Sequence, residues 1–161
     1  MIRSSIPADV PALLDLVREL AAYERAADQV EATEADLTAA LFGTEPRVWA
    51  LVAEDGGQVV GMAVYFLSYS TWTGRPGLYL EDLYVQPHHR RRGTGRALMA
   101  ALAQRALEAG CARFEWSVLD WNQSALIFYR SLGAEAMAEW TTLRLSGTAL
   151  GELATWAESP S

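Results

Sequence analysis

Arg90-Arg91-Arg92-Gly93-Thr94-Gly95-Arg96 lies between a run with strand character, Leu78 to Val85, and a run with helical character from about Gly95 to Ala109. A strand, a glycine-bearing loop and a helix start form an anion site out of main-chain atoms. The first N–H groups of a helix have no intrahelical partner, and the helix dipole adds partial positive charge at that end. Gly93 and Gly95 remove the Cβ atoms that would keep a phosphate at a distance. The flanking arginines add charge-assisted hydrogen bonds. The loop reads as a seat for a di- or polyphosphate. No lysine followed by serine or threonine closes it as in a P-loop, and the third glycine of a dinucleotide fingerprint is missing.

Outward from this loop the chain alternates helices and strands. Met1 to Ser5 reads as a short strand. The next helix carries Val10, Leu13, Leu14, Val17 and Leu20 on one face, with Asp15, Arg18 and Glu19 off it. Thr33 with Asp36 resembles a capping box and opens a second helix to about Leu41. Trp49–Glu54 and Gln58–Tyr69 form a hairpin through Asp55-Gly56-Gly57. Gly74 to Gly77 makes the turn before Leu78–Val85. The helix after the loop points Leu98, Met99, Leu102 and Ala106 inward and ends at Gly110. Phe114–Val118 is a further strand, Asn122 caps a helix over Gln123–Ser131, Glu139–Leu145 reads as a late strand, and Thr148–Ala157 as a terminal helix. This pattern gives an α/β domain with a mixed sheet, and a single domain over residues 1–161.

Bulk properties narrow the function. The formal net charge of −7 argues against general affinity for nucleic acid or an anionic membrane, while the basic residues cluster at positions 88 to 96. A small anionic ligand held in one place fits both facts, and acidic residues elsewhere can draw in a cationic second ligand. Cys111 is the sole cysteine, so no intramolecular disulfide forms, and the N-terminus lacks the apolar core of a signal peptide. A cytoplasmic location follows. With two histidines and one cysteine, no metal site is expected. Trp49, Trp116 and Trp140 are expected in the core, His88 and His89 in solvent, Cys111 as a small apolar residue, and Trp72 at a substrate mouth.

Leu80-Glu81-Asp82-Leu83-Tyr84-Val85, the arginine–glycine loop, Asp120-Trp121-Asn122 and Phe128-Tyr129 occur in an order that resembles the GCN5-related N-acetyltransferase (GNAT) family. Tyr65-Phe66, Trp72-Thr73-Gly74 and Tyr79 to Asp82 resemble its diamine (spermidine/spermine) and thialysine acetyltransferase branch. The resemblance implies a mixed, mostly antiparallel central sheet flanked by helices, whose strands Leu78–Val85 and Phe114–Val118 splay apart. It implies acetyl-CoA as donor and no metal. The pyrophosphate would rest on Arg90, Arg91, Arg92, Gly93, Thr94, Gly95 and Arg96. The pantetheine arm would pair with Leu83, Tyr84 and Val85 like an added strand, and Asn122, Ser124 and Tyr129 would line its other side. It implies a homodimer.

The chemistry assigns roles to side chains. A primary amine of pKa near ~10.4 is protonated at pH 7, and freeing its lone pair costs roughly 4–5 kcal/mol. A general base must take that proton. Glu81 is the candidate. Asp82 follows it and points to the other sheet face if the pleat is regular, unless a bulge breaks the alternation. A main-chain N–H such as that of Leu83 would polarise the thioester carbonyl. The thiolate needs a proton, and Tyr129 is the candidate acid, as its position in the family implies. For the acceptor, Tyr23, Glu24, Trp72, Glu81, Asp82 and Glu115 are candidate contacts. Glu24, Asp28, Glu81, Glu115 and Glu139 could form an acidic funnel. The stretch Tyr69-Ser70-Thr71-Trp72 lacks the acidic residue typical of the diamine enzymes, whereas Arg25 and Arg75 could accept a carboxylate. A small primary amine is expected, either a polyamine or a lysine-like amino acid. A protein amine as acceptor, or a non-catalytic acyl-CoA or nucleic-acid binder, are the alternatives.

Overall fold

Five strands form one sheet in the order β1 (Ile2–Ser4), β2 (Trp49–Asp55), β3 (Gln58–Ser70), β4 (Arg75–Val85), β5 (Arg113–Trp116). The computed structural model describes residues 1–158. The first three junctions are antiparallel, and β4 and β5 run parallel, joined through the helix α3 (Thr94–Glu108). Glycine-bearing turns join β2 to β3 and β3 to β4, whereas β1 reaches its antiparallel partner β2 through the helical segment that follows it. Gly56 and Gly57 both take left-handed φ, as the β2–β3 hairpin requires.

The described chain separates into two compact units, Met1–Leu119 and the residues from Asp120 onward. The first contains the whole sheet with α1 (Val10–Tyr23), α2 (Glu34–Phe42) and α3. Leu13, Leu16, Leu41, Ala50, Val52, Met62 and Tyr84 make a buried cluster between the sheet and the first two helices. Leu16 joins it although the expected apolar stripe of α1 omitted it, because the helix is clasped by both sheet and α2 and its buried arc is wider. Truncating such a side chain to Ala costs about 2–5 kcal/mol. The α3 face of Leu98, Met99, Leu102 and Ala106 is buried as expected. Arg105 on α3 reaches Tyr65 Oη at 3.2 Å and Ser4 Oγ at 2.7 Å, on the sheet face opposite Met62. At the start of α1, Asp9 accepts from Arg3 at 2.7 and 3.0 Å and from the Ile6 amide at 2.8 Å, fastening β1 to the helix. Thr33 and Asp36 make the expected capping box.

The second unit holds α4 (Gln123–Ser131) and α5 (Gly147–Thr155), with a 3-10 turn at Trp156–Glu158. The strand expected over Glu139–Leu145 is not formed. A strand exists only through a ladder partner, and among the described residues none pairs with this stretch. Trp140, Leu143 and Leu145 therefore stay in solvent, 70%, 89% and 51% exposed. Trp49, at 39% exposure, is also not the core residue expected, since it opens β2 and leans on Tyr65 only from the strand end. Trp116 is half-buried beside Phe114, ring centroids 4.9 Å apart.

Candidate active site

The arginine–glycine loop carries two left-handed residues, Arg91 at φ 60° and Gly93 at φ 82°. Such alternation curls the chain so that successive N–H groups point to one side. The Ala97 amide is the first to be taken by the helix, donating to Gly93 O at 2.9 Å. Among the described residues, no amide from Arg91 to Arg96 donates to a main-chain carbonyl. The loop is braced from outside. Thr94 Oγ1 donates to His89 O at 3.4 Å, and His89 Nδ1 lies 3.3 Å from Asp55 Oδ2 in the β2–β3 turn. His89 is thus half-sheltered rather than solvated as expected, because the hairpin turn lies against it. The side chains of Arg91, Arg92 and Arg96 are exposed.

β4 leads into this loop and has an open edge. Its parallel ladder with β5 covers Gly77 to Leu80 and stops. Among the described residues, the stretch from Glu81 to Val85 has ladder partners on β3 alone, on the other side. Leu83, Tyr84 and Val85 thus belong to a strand segment paired on one side, the geometry that accepts an extended ligand as an added strand. Immediately before them the register slips. Asp82 pairs with Val64, but Leu80 pairs with Tyr65, so Glu81 is the extra residue of a bulge. The regular alternation between Glu81 and Asp82 is therefore broken. Asp82 falls on the face of Met62 and Tyr84, toward α1, and its carboxyl is pushed up to about 6 by burial and by the charges of Glu81 and Glu24. Glu81 is exposed. Burial also raises the Glu24 carboxyl above its ordinary range.

Arg90, which closes the turn after β4, directs its guanidinium back onto the protein. Nε donates to Val85 O at 2.7 Å, and the charge lies 5.3 Å from the Tyr23 ring centroid and 5.2 Å from that of Tyr84. The Tyr84 phenol is raised by burial and then by the charge of Glu19, while the charge of Arg90 acts in the opposite direction. Gln86 Nε2 donates to Glu19 Oε1 at 2.9 Å. Glu19 carries no local signal in the sequence beyond lying off the apolar stripe of α1, and its part in this cluster was not foreseen.

The remaining candidates are placed as follows. Trp72 sits at the β3–β4 turn, 89% exposed. Glu115 on β5 pairs with Arg113 at 3.1 Å, which occupies the charge the acidic funnel would have used. In the second unit, Asn122 is buried and caps α4, its Oδ1 accepting from the Ala125 amide and from Ser124 Oγ, both at 3.2 Å. Tyr129 is half-buried on α4, its ring centroid 5.3 Å from that of Phe128. Among the described residues, no group of three or more His, Cys, Asp or Glu is placed to hold a metal ion.

The chain as a whole is similar to known proteins. The acetyltransferase (GNAT) family model matches residues 13–134. A thialysine N-epsilon-acetyltransferase of Bos taurus is 42% identical over 165 residues, covering 96% of this chain and 96% of its own. An L-ornithine N5-acetyltransferase of Arabidopsis thaliana is 29% identical over 194 residues, covering 92% and 85%. Among solved structures, an integron cassette protein from the mobile metagenome of V. cholerae superimposes with a TM-score of 0.80 at 28% identity over 96% of each chain. On these matches the chain belongs to the GNAT family and is an N-acetyltransferase.

Proposed function

We propose that this enzyme transfers the acetyl group of acetyl-CoA to the primary amine of a small molecule, with a lysine-like amino acid such as thialysine as the leading acceptor and polyamines as the wider class. One observation carries the reading: β4 presents, in consecutive residues, a carboxyl pair at a bulge and then an open strand edge that runs into the amide loop. The first suits a cationic amine and the second a phosphate-bearing, amide-containing arm. The names of the thialysine and ornithine relatives support an amino-acid acceptor.

In this reading the amides of residues 91–96 hold the pyrophosphate, with the Arg91, Arg92 and Arg96 side chains adding charge, and Leu83 to Val85 pair with the pantetheine arm. Glu24 and Asp82 receive the ammonium group, with Tyr23 and Trp72 against its carbon chain. Glu81, exposed at the bulge, removes the proton that frees the amine lone pair. The nitrogen attacks the thioester carbonyl, the C–S bond breaks, and Tyr129 returns a proton to the departing thiolate. Asn122 and Ser124 fix the start of the helix that carries Tyr129. The family match runs across both compact units, which supports a single catalytic domain over residues 1–161.

We further infer a homodimer working in the cytoplasm. Leu143, Leu150, Leu153 and Trp156 are each at least 46% exposed in the second unit, an apolar surface that a second copy would cover. No helix among the described residues is long and apolar enough to cross a membrane. Light scattering should give twice the chain mass, and a monomer would overturn the dimer.

The direct test is thiol release from acetyl-CoA against thialysine, lysine, ornithine, spermidine and a peptide N-terminus. Turnover should be highest with a free diamino acid. Coenzyme A binding without turnover of any small amine would overturn the proposal.

A further inference from the structure

The guanidinium of Arg90 stands where three parts of the first unit meet. It bonds the carbonyl of Val85, at the end of the open edge of β4. It lies against Tyr84, whose hydroxyl feels the charge of Glu19 on α1. It also lies against Tyr23, the last residue of α1. Glu24 follows Tyr23, and its charge reaches Asp82. Arg25 then turns the chain with a left-handed φ of 62°. The main chain of Arg90 opens the amide loop, yet its side chain is spent on the acceptor end of α1. A phosphate ligand would direct its guanidinium toward the loop amides. A strut between two subsites would be held as this one is, with a ring at each side and a carbonyl at Nε.

We propose that Arg90 is a positioning residue that couples the acetyl-CoA loop to the acceptor-binding end of α1, so that filling the loop also orders Tyr23 and Glu24. This deepens the acetyltransferase reading and rests on it. The physical basis is ordinary. The loop amides have no main-chain acceptor among the described residues and the α1 end rests on local bonds, the kind of segment that opens locally. At that end Glu24 N donates to Leu20 O at 2.9 Å, Arg25 N to Ala22 O at 3.2 Å and Ala26 N to Ala21 O at 2.8 Å, all local bonds within the last turn. A bound ligand that fixes Arg90 lowers the cost of ordering Tyr23 and Glu24 for the second ligand. Coupling of this kind is reciprocal. Arginine suits the role because its planar fork can stack on two rings while Nε–H donates, which the point charge of a lysine does not do.

The test is hydrogen–deuterium exchange of the full chain with and without saturating coenzyme A, in the wild type, Arg90→Gln and Tyr23→Leu. In the wild type, coenzyme A should slow exchange both in residues 91–97 and at Glu24, Arg25 and Ala26. In each variant the slowing at residues 91–97 should persist while that at residues 24–26 disappears. The comparison is made within each variant, so a general loss of stability does not mimic the effect, and the second variant serves if the first folds poorly. The amine KM should rise about fivefold in Arg90→Gln, the order expected for losing stacked cation–π contacts, with a smaller change in kcat. Undiminished slowing at residues 24–26 in both variants would overturn the inference. Absence of any slowing at residues 91–97 in the wild type would instead overturn the acetyltransferase reading, and the inference with it.

Discussion

The charge of Glu24, just past the end of α1, reaches Asp82 on β4 and joins burial and Glu81 in raising that carboxyl to about 6. If Asp82 receives the acceptor amine as proposed, the ionised form holds it, and acidification removes the site's charge before most carboxylates titrate. kcat/KM for the amine should therefore fall about tenfold per pH unit below about 6. In Asp82→Asn that break in the profile should vanish and the rate should be lower throughout. A wild-type break near the ordinary aspartate value of 3.8 would contradict this placement.

The same residue makes a stability prediction of opposite sense. The Asp82 carboxyl has a folded-state pKa near 6 against an ordinary 3.8, so the folded state binds its proton more tightly than the unfolded state. Its contribution is most favourable below about 3.8 and is lost as pH rises through 6. At pH 7 the ionised form is a burden of about 1–3 kcal/mol. Asp82→Asn should raise the melting temperature at pH 7 while lowering activity, and thermal denaturation at pH 7 and pH 4 separates the two effects.

Asp9 works the other way. Its bonds to Arg3 and the Ile6 amide hold its carboxyl below the usual range despite burial. The stability it adds is present above the ordinary aspartate pKa and lost as pH falls through the depressed value. Asp9→Asn should cost about 2–4 kcal/mol at pH 7, because it leaves Arg3 partly unpaired beside a buried group. Urea titration is the measurement, and an unchanged midpoint would refute it.

Tyr129→Phe removes a proton donor and little volume. If the phenol protonates the leaving thiolate, kcat should drop by about 10²- to 10⁴-fold with little change in coenzyme A affinity. Single-turnover kinetics beside calorimetric binding would read both. An unaltered kcat would remove Tyr129 from the mechanism.

Gly93 starts α3 at φ 82°, where a side chain is strained. Gly93→Ala should weaken coenzyme A binding by about 5- to 30-fold, the equivalent of about 1–2 kcal/mol of left-handed strain. No atom lies within 4 Å of the added Cβ, so a clash is not the cause. Arg91→Gly, at the other left-handed position, should relieve local strain instead.

Elements with local punctuation were legible in the sequence. The Thr33–Asp36 capping box, the Asp55-Gly56-Gly57 turn, the Asn122 cap and the stops at Gly110 and Gly133 mark helix and strand limits through bonds and φ angles within a few residues. The amide loop was legible for the same reason. What depends on partners distant in sequence was not. The bulge at Glu81 is a property of two strands in register, and a single strand's pattern carries only the possibility. The setting of Arg90 arises because α1 lays Tyr23 and Glu19 beside Tyr84. Glu139–Leu145 has strand-like alternation and no ladder to join, so its pattern was misleading. Trp49 and Trp140 are exposed because of where they fall, at the start of β2 and in a stretch that joins no ladder, which residue type alone does not reveal.

In the proposed reading, the donor side of this molecule is written mostly in main-chain atoms, the loop amides and the free margin of β4, whereas the acceptor side is written in side chains at the tip of a hairpin and the end of a helix. Point substitutions leave peptide groups in place but readily exchange Tyr23, Glu24 or Trp72. A lineage built on this plan can diversify the amines it modifies, one codon at a time, while its appetite for a single activated carrier stays fixed.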